Sequence, residues 1–444
     1  MEKRTFLFLS MLVGATALQA VTYSGTLPVL HIETQNHAPV NSKETYVPAV
    51  YWLDPLGTDI EAIGSETAPL ALQIKGRGNW TWNGFEKKPY RLKLDKKAPL
   101  AGLKASKHFG LLAHADDYNG FLRNTVGFWL SEHIGMAWTP AQRPVEVVLN
   151  GDYIGLYFLT ELIRVDKDRV DIVEQADNCT QPDSITGGWL VEIDNYDSDP
   201  HVQITEGDGR PIIFTYKTPE ILSGAQEDFL RTEMGRLNTL IYGSKDDNEL
   251  WQYLDIDALA RFFIVQELTD NYESFHGSCY LHRDMGDSEK WHFGPVWDFG
   301  SAFNYDKERP FYEGREHHNT WAPQLAQFPA FQRRVEEIWS ELYHKEYASL
   351  FAYTEEFIDY ISAAAQQDAK RWAAEGYGNT DLQEDLRRVQ ERLRQAATYM
   401  NKTYGLLPEG IATVGQDSTP AAHKVITTEG ELRIIVGEEV YWIW

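Results

Sequence analysis

Cysteine is nearly missing from this chain: its 444 residues hold two, Cys179 and Cys279. Two cysteines cannot build a disulfide scaffold, and no Cys/His cluster has zinc spacing. The pair could bond to each other outside the cytoplasm, but the sequence leaves their separation in space open. Basic residues are short too: 41 Lys+Arg stand against 66 Asp+Glu, a formal net charge of −25. A protein that neutralises nucleic-acid phosphates needs a basic face, so this excess of acid argues against a nucleic-acid partner. It argues equally against attachment to anionic lipid through a basic patch. Beyond the first twenty residues no apolar run is long enough to cross a bilayer. No internal repeat is present.

What is there reads as a folded globular protein. Hydrophobic residues make up 43% and aromatic residues 13%, far from the composition of a disordered acidic tail. The length supports a sizeable core and roughly two or three domain-sized units. At the start, Lys3-Arg4 precede an apolar run from Phe6 to Leu18, and Gln19-Ala20 follow it. A charged n-region, a short h-region and a small residue at the cut site describe a signal peptide at 1–20. A buried N-terminal strand is the alternative. No Cys follows the run, so no lipid anchor is expected. The mature chain is expected to be secreted, periplasmic or on the cell surface, with no transmembrane segment.

Along the chain, the first half is rich in strands. Pro28–Ile32, Leu70–Ile74 and Tyr90–Leu94 have extended character, and the last alternates apolar with basic residues. The Gly/Asn-rich stretch 75–84 between them reads as a loop. Helical spacing covers 118–135, with Gly135 as its stop. Val145–Leu149, Asn150-Gly151 and Tyr153–Leu159 form a β-hairpin, because Asn-Gly supplies the two positive-φ residues of a tight turn. Another strand is expected at 188–194. From about 219 helices dominate. One carries Leu230, Met234, Leu237 and Ile241, the next is capped by Asp255 or Asp257, and 328–404 is helical throughout. Short strands return at 278–282 and 291–293. A linker at 408–423 leads to a β-rich tail at 424–444. The class is α+β, with a strand-rich part (about 21–218) and a helix-rich part (about 219–407) that could enclose a cleft.

Several residues could carry chemistry. Asp298 sits in Trp297-Asp298-Phe299-Gly300, and a carboxylate in such apolar company needs a partner, a helix N-terminus or a cation. A metal ligand and a structural turn cap both fit it. Polar and acidic residues also crowd 267–278, about 25 residues upstream across a short hairpin. In phosphotransferases one such loop positions the hydroxyl nucleophile, and the other holds Mg²⁺ against nucleotide phosphates. Lys75, Arg77, Lys87, Lys88, Arg91 and Lys93 form a basic counterpart in an acidic chain; it could meet triphosphate or simply be a solvated strand face. Arg123-Asn124, at a helix start, is a second place for an anion. Trp80 and Trp82 could stack on a sugar or anchor the loop by packing, so glycan contact is a further possibility.

Taken together, these segments resemble the CotH (spore coat protein H) kinase-like family. The resemblance is carried by Lys75–Asn79, Lys87–Leu94, Phe121–Asn124, Leu149–Glu161, Gly187–Asp194 and Pro295–Phe299, in the family's order over about residues 28–400. It implies a two-lobed atypical protein-kinase-like fold that binds ATP with Mg²⁺ or Mn²⁺ and phosphorylates protein Ser/Thr. It places the metal-binding Asp at Asp298 and phosphate contacts at Lys93 and Arg77, with Lys75 and Arg123 beside them. Glu161 or Glu192 would orient a lysine.

The catalytic loop departs from the pattern. The family has Asn-x-Asp and then Asn five residues on; here Asn271-Tyr272-Glu273 and Ser278 occupy those positions. Glu273 keeps the charge on a longer side chain, and displacing a base by ~1 Å can cost on the order of 10²-fold in rate. Ser278 keeps an oxygen but loses the amide carbonyl that would help hold the metal. Asp270 is an alternative base, three residues early. A kinase and a catalytically weak pseudokinase that serves as a surface-binding or assembly module therefore both fit. The tail segment Val425–Leu432 weakly resembles a secretion-sorting module; a β-tail packed on the main domain is the alternative.

Overall fold

The computed structural model describes residues 23–407 and the backbone of 423–443, apart from 118–119, 206–210, 247, 287–288, 315–316, 318–319, 378–380, 429–430 and 437–438. The expected signal peptide and nearly all of the linker lie outside the described residues.

Seven strands close into a barrel. They are β1 (Val29–Thr34), β2 (Val47–Asp54), β3 (Leu70–Gly76), β4 (Tyr90–Leu100), β5 (Leu103–Leu112), β6 (Gln142–Leu149) and β7 (Asp152–Glu161), in the order β1-β2-β3-β4-β5-β7-β6. All neighbours are antiparallel except the closing pair, β1 with β6. Strand alternation fills the inside: Leu92 and Leu94 point in while Arg91 and Lys93 point out. The Asn150-Gly151 turn is present, with φ of 54° and 78°. The loop expected at 75–84 contains one helical turn, α1 (Trp80–Gly84). Packing imposes it, because the Trp82 ring lies on Gly76 and edge-on to Tyr90. Helix α2 (Leu122–His133) follows β5, and Gly135 at φ 81° ends the segment as expected.

A second sheet has five strands in the order β12-β11-β8-β10-β9. It joins β8 (Trp189–Asp194), β9 (His201–Ile204) and β10 (Ile212–Thr218) to β11 (Cys279–Arg283) and β12 (His292–Phe293). The strands expected as an insert among helices thus complete a sheet begun before residue 219. Hydrogen bonds from β11 to β8 bring them together, and such long-range pairing leaves no local pattern.

Helices pack around this sheet: α3 (Gly224–Tyr242), α4 (Leu250–Tyr253), α5 (Ile256–Thr269), α6 (Ala322–Leu325), α7 (Pro329–Lys345), α8 (Ser349–Trp372) and α9 (Leu382–Thr403). Asp255 caps α5, its carboxylate accepting from Ala258 N at 2.8 Å. Asp257 instead holds Arg334 at 2.6 and 2.8 Å. The helical stretch expected over 328–404 consists of α7, α8 and α9.

The barrel and the helices meet along β7, which is buried on both faces. Tyr157 and Leu159 face the barrel core, while Leu156 and Phe158 join the core under the helices. Helix α8 packs on β7. Lys87 reaches Asp368 at 2.7 Å with both side chains buried, and Asp368 also accepts from Leu156 N at 2.9 Å. Only glycine fits at 155, because its φ is 103° and a Cβ would overlap the Asp368 carboxylate. The tail forms a three-stranded antiparallel sheet, β13 (His423–Thr428), β14 (Glu431–Val436) and β15 (Glu439–Ile443). Among the described residues no helix is long and apolar enough to cross a membrane. Both cysteines are free thiols, Cys279 buried and Cys179 half-buried.

Candidate active site

A cavity of about 890 Å³ opens between the barrel and the five-stranded sheet. Its barrel wall is basic. Lys75 on β3 stands directly across from Arg91 on β4, and both line the cavity with Arg77. Like charges set opposite each other weaken a sheet, so this wall suits an anion. Burial lowers the pKa of Lys75, and the Arg91 charge lowers it further. Arg91 Nε is buried with no hydrogen-bond partner among the described residues.

The opposite wall comes from the sheet. Lys217, at a register shift in β10, lies 2.8 Å from Glu192 on β8 and 3.6 Å from Asp199. Burial opposes its charge, but Glu192 and Asp199 hold the ammonium above its ordinary pKa. Tyr280, level with Glu192 on β11, hydrogen-bonds the same carboxylate. Tyr280 and Lys217 both line the cavity.

Arg77 links the cavity to an acidic end. Its guanidinium lies over the Trp297 ring, 5.5 Å from the centroid. Burial lowers its pKa, while Asp298 and Tyr280 pull it back up. Asp298 is exposed, with φ 56°, and its carboxylate accepts from Gly300 N at 3.2 Å. Helix α2 holds this turn. Asn124 Oδ1 accepts from Phe299 N at 3.1 Å. Arg123 donates to Gly300 O at 2.6 Å, Asp116 O at 3.2 Å and Asn304 Oδ1 at 2.7 Å. Gly127 leaves room for the Phe299 ring, which any Cβ there would overlap.

The loop after α5 stands against this turn. Asn271 is buried and donates to Asp298 O at 3.1 Å and Gln266 Oε1 at 2.9 Å. Ser301 Oγ donates to Asn271 Oδ1 at 2.7 Å and lies 3.4 Å from Glu273 Oε2. Burial, then the charge of Asp298, push the Glu273 carboxyl up to about 7; the Ser301 hydrogen bond opposes this, and Asp116 adds a lesser push.

Arg77, Asp298 and Glu273 are thus drawn together, and Lys75 lines the adjoining cavity. Lys93 stands outside that lining, over the Tyr46 ring at 5.7 Å; Arg91, two residues earlier on the same face, occupies the wall. Arg123 is buried and holds backbone. Ser278, at φ 49°, opens β11. Asp270 is gripped by Lys307 at 2.7 Å, which also meets Glu267 at 2.6 Å. Between Glu161 and Glu192, it is Glu192 that pairs with a lysine. Glu161 accepts from Lys104 N and Ala141 N and faces Arg169. Trp80 is exposed, whereas Trp82 is packed. Lys87 belongs to the barrel–helix joint.

Sequence reasoning missed Lys217, Tyr280 and Ser301. Lys217 lies in an ordinary-looking strand, and no spacing ties it to Glu192. Tyr280 alternates on β11 with the buried Cys279 and Leu281, which places it on the opposite face; that signal was available. Among the described residues no group of three or more His, Cys, Asp or Glu could hold a metal by itself.

A family model described as CotH kinase protein matches residues 74–400. The chain belongs to the CotH kinase family. The match runs from the end of β3 to near the end of α9, so Lys75, Arg77, Arg91, Glu192, Lys217, Glu273, Tyr280 and Asp298 lie inside the CotH region, while Lys43 and Glu44 of the cavity lining precede it. No curated protein matches the chain.

Proposed function

We propose that this CotH protein is an exported, two-lobed atypical kinase that uses ATP and Mg²⁺ or Mn²⁺ to phosphorylate Ser/Thr of a protein. The observation that carries the reading is Arg77, a half-buried cation that lines the cavity and feels the Asp298 carboxylate. A cavity wall of Lys75, Arg77 and Arg91 beside the exposed Asp298 carboxylate fits a phosphate chain together with a divalent metal.

The residues present fit both groups. Mg²⁺ takes oxygen ligands and is commonly held by one or two carboxylates plus substrate phosphates. The absence of a closed protein cage among the described residues is therefore compatible with it. Glu273 is pushed toward neutrality partly by Asp298 and Asp116, and a cation there would relieve that repulsion. Asp298 would hold the metal, with the Ser278 hydroxyl as a second oxygen. When bound, the metal supplies charge neutralisation for the transferring phosphoryl group.

The chain's own residues account for the rest. Lys75, Arg77 and Lys217 bind phosphate oxygens, and the Glu192–Tyr280 pair fixes the Lys217 ammonium. Glu273 accepts the proton of the substrate hydroxyl at its carboxylate; a base with a pKa near the working pH is well matched to that task. Ser301 orients Glu273, and the Arg123–Asn124 clamp keeps Asp298 in place. Phosphorylation of a partner protein, not of nucleic acid, fits the chain's charge.

A specific observation favours a second reading, the catalytically weak binding or assembly module. Asp270 is held by Lys307, so Glu273 is the carboxylate left for the base, on a side chain longer than the family's aspartate. Calorimetry with ATP and Mg²⁺ or Mn²⁺ tests nucleotide binding; no heat from the wild type, like none from Asp298→Ala, would end both readings of the site. Label transfer to a Ser/Thr-rich protein separates the two. Strong transfer only after Glu273→Asp with Ser278→Asn would select the second.

A further inference from the structure

A second cavity, of about 390 Å³, lies where the segment after β7 meets the start of α5 and the β11–β12 hairpin. Its lining shares no residue with that of the larger cavity.

Its charges are unevenly partnered. Asp255 accepts from the α5 N-terminus, and Asp257 is held by Arg334 in two hydrogen bonds. Arg261 Nε donates to Ile134 O at 3.1 Å, and its Nη2 lies 4.0 Å from Asp257. Arg169 differs. Its side chain is fully buried, its Nη2 is 3.5 Å from Glu161, and its Nε and Nη1 have no hydrogen-bond partner among the described residues. Unmade bonds on a buried charged donor are costly, and an anion that accepted them would recover that cost. Asp171 is the exposed carboxylate at the rim.

The remaining wall is apolar. Met136, Trp138, Val170, Phe293 and Pro295 line it, and the Met136 methyl closes on Gly294. His282 donates from Nδ1 to Gly294 O at 3.1 Å, and burial, ahead of the neighbouring His292, lowers its pKa to about 4. It is therefore neutral near pH 7 and adds no charge to those of Arg169 and Arg261. The volume admits a molecule of roughly a dozen non-hydrogen atoms, within the lower range of small-ligand pockets.

We infer that this cavity is a binding site for a small organic anion, a phosphate or carboxylate head held by Arg169 and an apolar or aromatic body against Met136, Trp138 and Phe293. A phosphate monoester and a carboxylate share that chemistry. The site is independent of the kinase reading.

Met136 makes the test local, because the chain has six methionines and their methyl groups give separate ¹³C NMR signals. The full chain is titrated with phenyl phosphate and, separately, with benzoate; Met136→Leu assigns the signal. A saturable shift of the Met136 methyl, half-complete below about 1 mM (about −4 kcal/mol), is expected for at least one probe. The probe that acts identifies the head group. Inorganic phosphate alone should bind at least about tenfold more weakly, since it leaves the apolar wall unused. Arg169→Met should abolish the shift. Because that change also unpairs Glu161, Ala137→Trp, at the exposed rim, serves as a second variant that obstructs entry while leaving Arg169 in place. It too should abolish the shift, with the other methionine signals unchanged. No movement of the Met136 signal with either probe at 20-fold that concentration, or full binding by Ala137→Trp, overturns the inference.

Discussion

The Lys217 ammonium lies 2.8 Å from the Glu192 carboxylate, across two neighbouring strands of the five-stranded sheet. The pair is clamped on its other side by Tyr280. It gives the cavity a cation whose position is set by sheet register and not by a flexible loop. On the barrel wall, Arg91 disfavours the Lys75 charge and Glu44, in the same lining, supports it, so a bound anion would relieve the repulsion further. This opposition of cations gives the cavity its chemical meaning.

Lys217→Met should therefore weaken ATP binding. A hydrogen bond to a charged group is worth about 1.5–3 kcal/mol, so the loss should be roughly 10- to 100-fold. Glu192→Gln should weaken binding less, because Asp199 still faces the ammonium at 3.6 Å. Calorimetry with ATP and Mg²⁺ reads both; equal affinity in wild type and Lys217→Met would remove Lys217 from the phosphate site.

The two acidic residues should separate binding from turnover. Asp298→Ala is expected to abolish the dependence of nucleotide affinity on divalent metal. Glu273→Gln should leave affinity within about threefold, since the amide removes only the charge. It should cut transfer by the 10²–10⁴-fold typical of a lost general base. Single-turnover label transfer next to calorimetry distinguishes the two losses. Equal effects of both variants on binding would contradict the division of roles.

Stability should carry a pH signature of Glu273. Its carboxyl, pushed up to about 7 from an ordinary 4.5, binds its proton more tightly in the folded state than in the unfolded one. Between those two values the folded state keeps a proton that the unfolded state has lost. This group's contribution therefore falls as pH rises and levels off above about 7. In metal-free buffer, wild type should lose on the order of 1–3 kcal/mol relative to Glu273→Gln from pH 4.5 to 7.5. Denaturant unfolding of both proteins across that range measures it, and a constant difference would rule it out.

The joint between barrel and helices should be sensitive to Lys87. Removing one partner of a buried ion pair typically costs 3–5 kcal/mol, because the other charge stays buried. Lys87→Met should show a loss of that size, and Lys87→Met with Asp368→Leu should recover part of it. Thermal unfolding of the three proteins provides the comparison. A loss below 1 kcal/mol in the single variant would mean that water reaches Asp368.

Much of this was legible in the sequence because it is local. The Asn150-Gly151 hairpin, the outward Arg91 and Lys93, the end of the α2 segment at Gly135 and the strand at 189–194 all follow from spacing or backbone conformation. So did the link from Asp298 to the 267–278 loop, since chain order carried the family resemblance. The misread places are those where packing overrides local preference. Trp82 turns the Gly/Asn loop into α1 by docking on Gly76, and β11 leaves its helical surroundings to pair with β8.

Residue order alone determined the α+β class, the family, the paucity of disulfide chemistry and the identity of the acidic loops, since short-range spacing and composition specify these directly. Tertiary structure decided which charges meet. It assigned Glu192 to Lys217, gave Asp270 to Lys307 and Arg123 to backbone, and moved Lys93 out of a wall that Arg91 occupies. It also left Arg169 buried with donors to spare. Ion pairing depends on distances of a few ångströms across strands far apart in the chain, and only closing the barrel and completing the sheet brings those groups within reach.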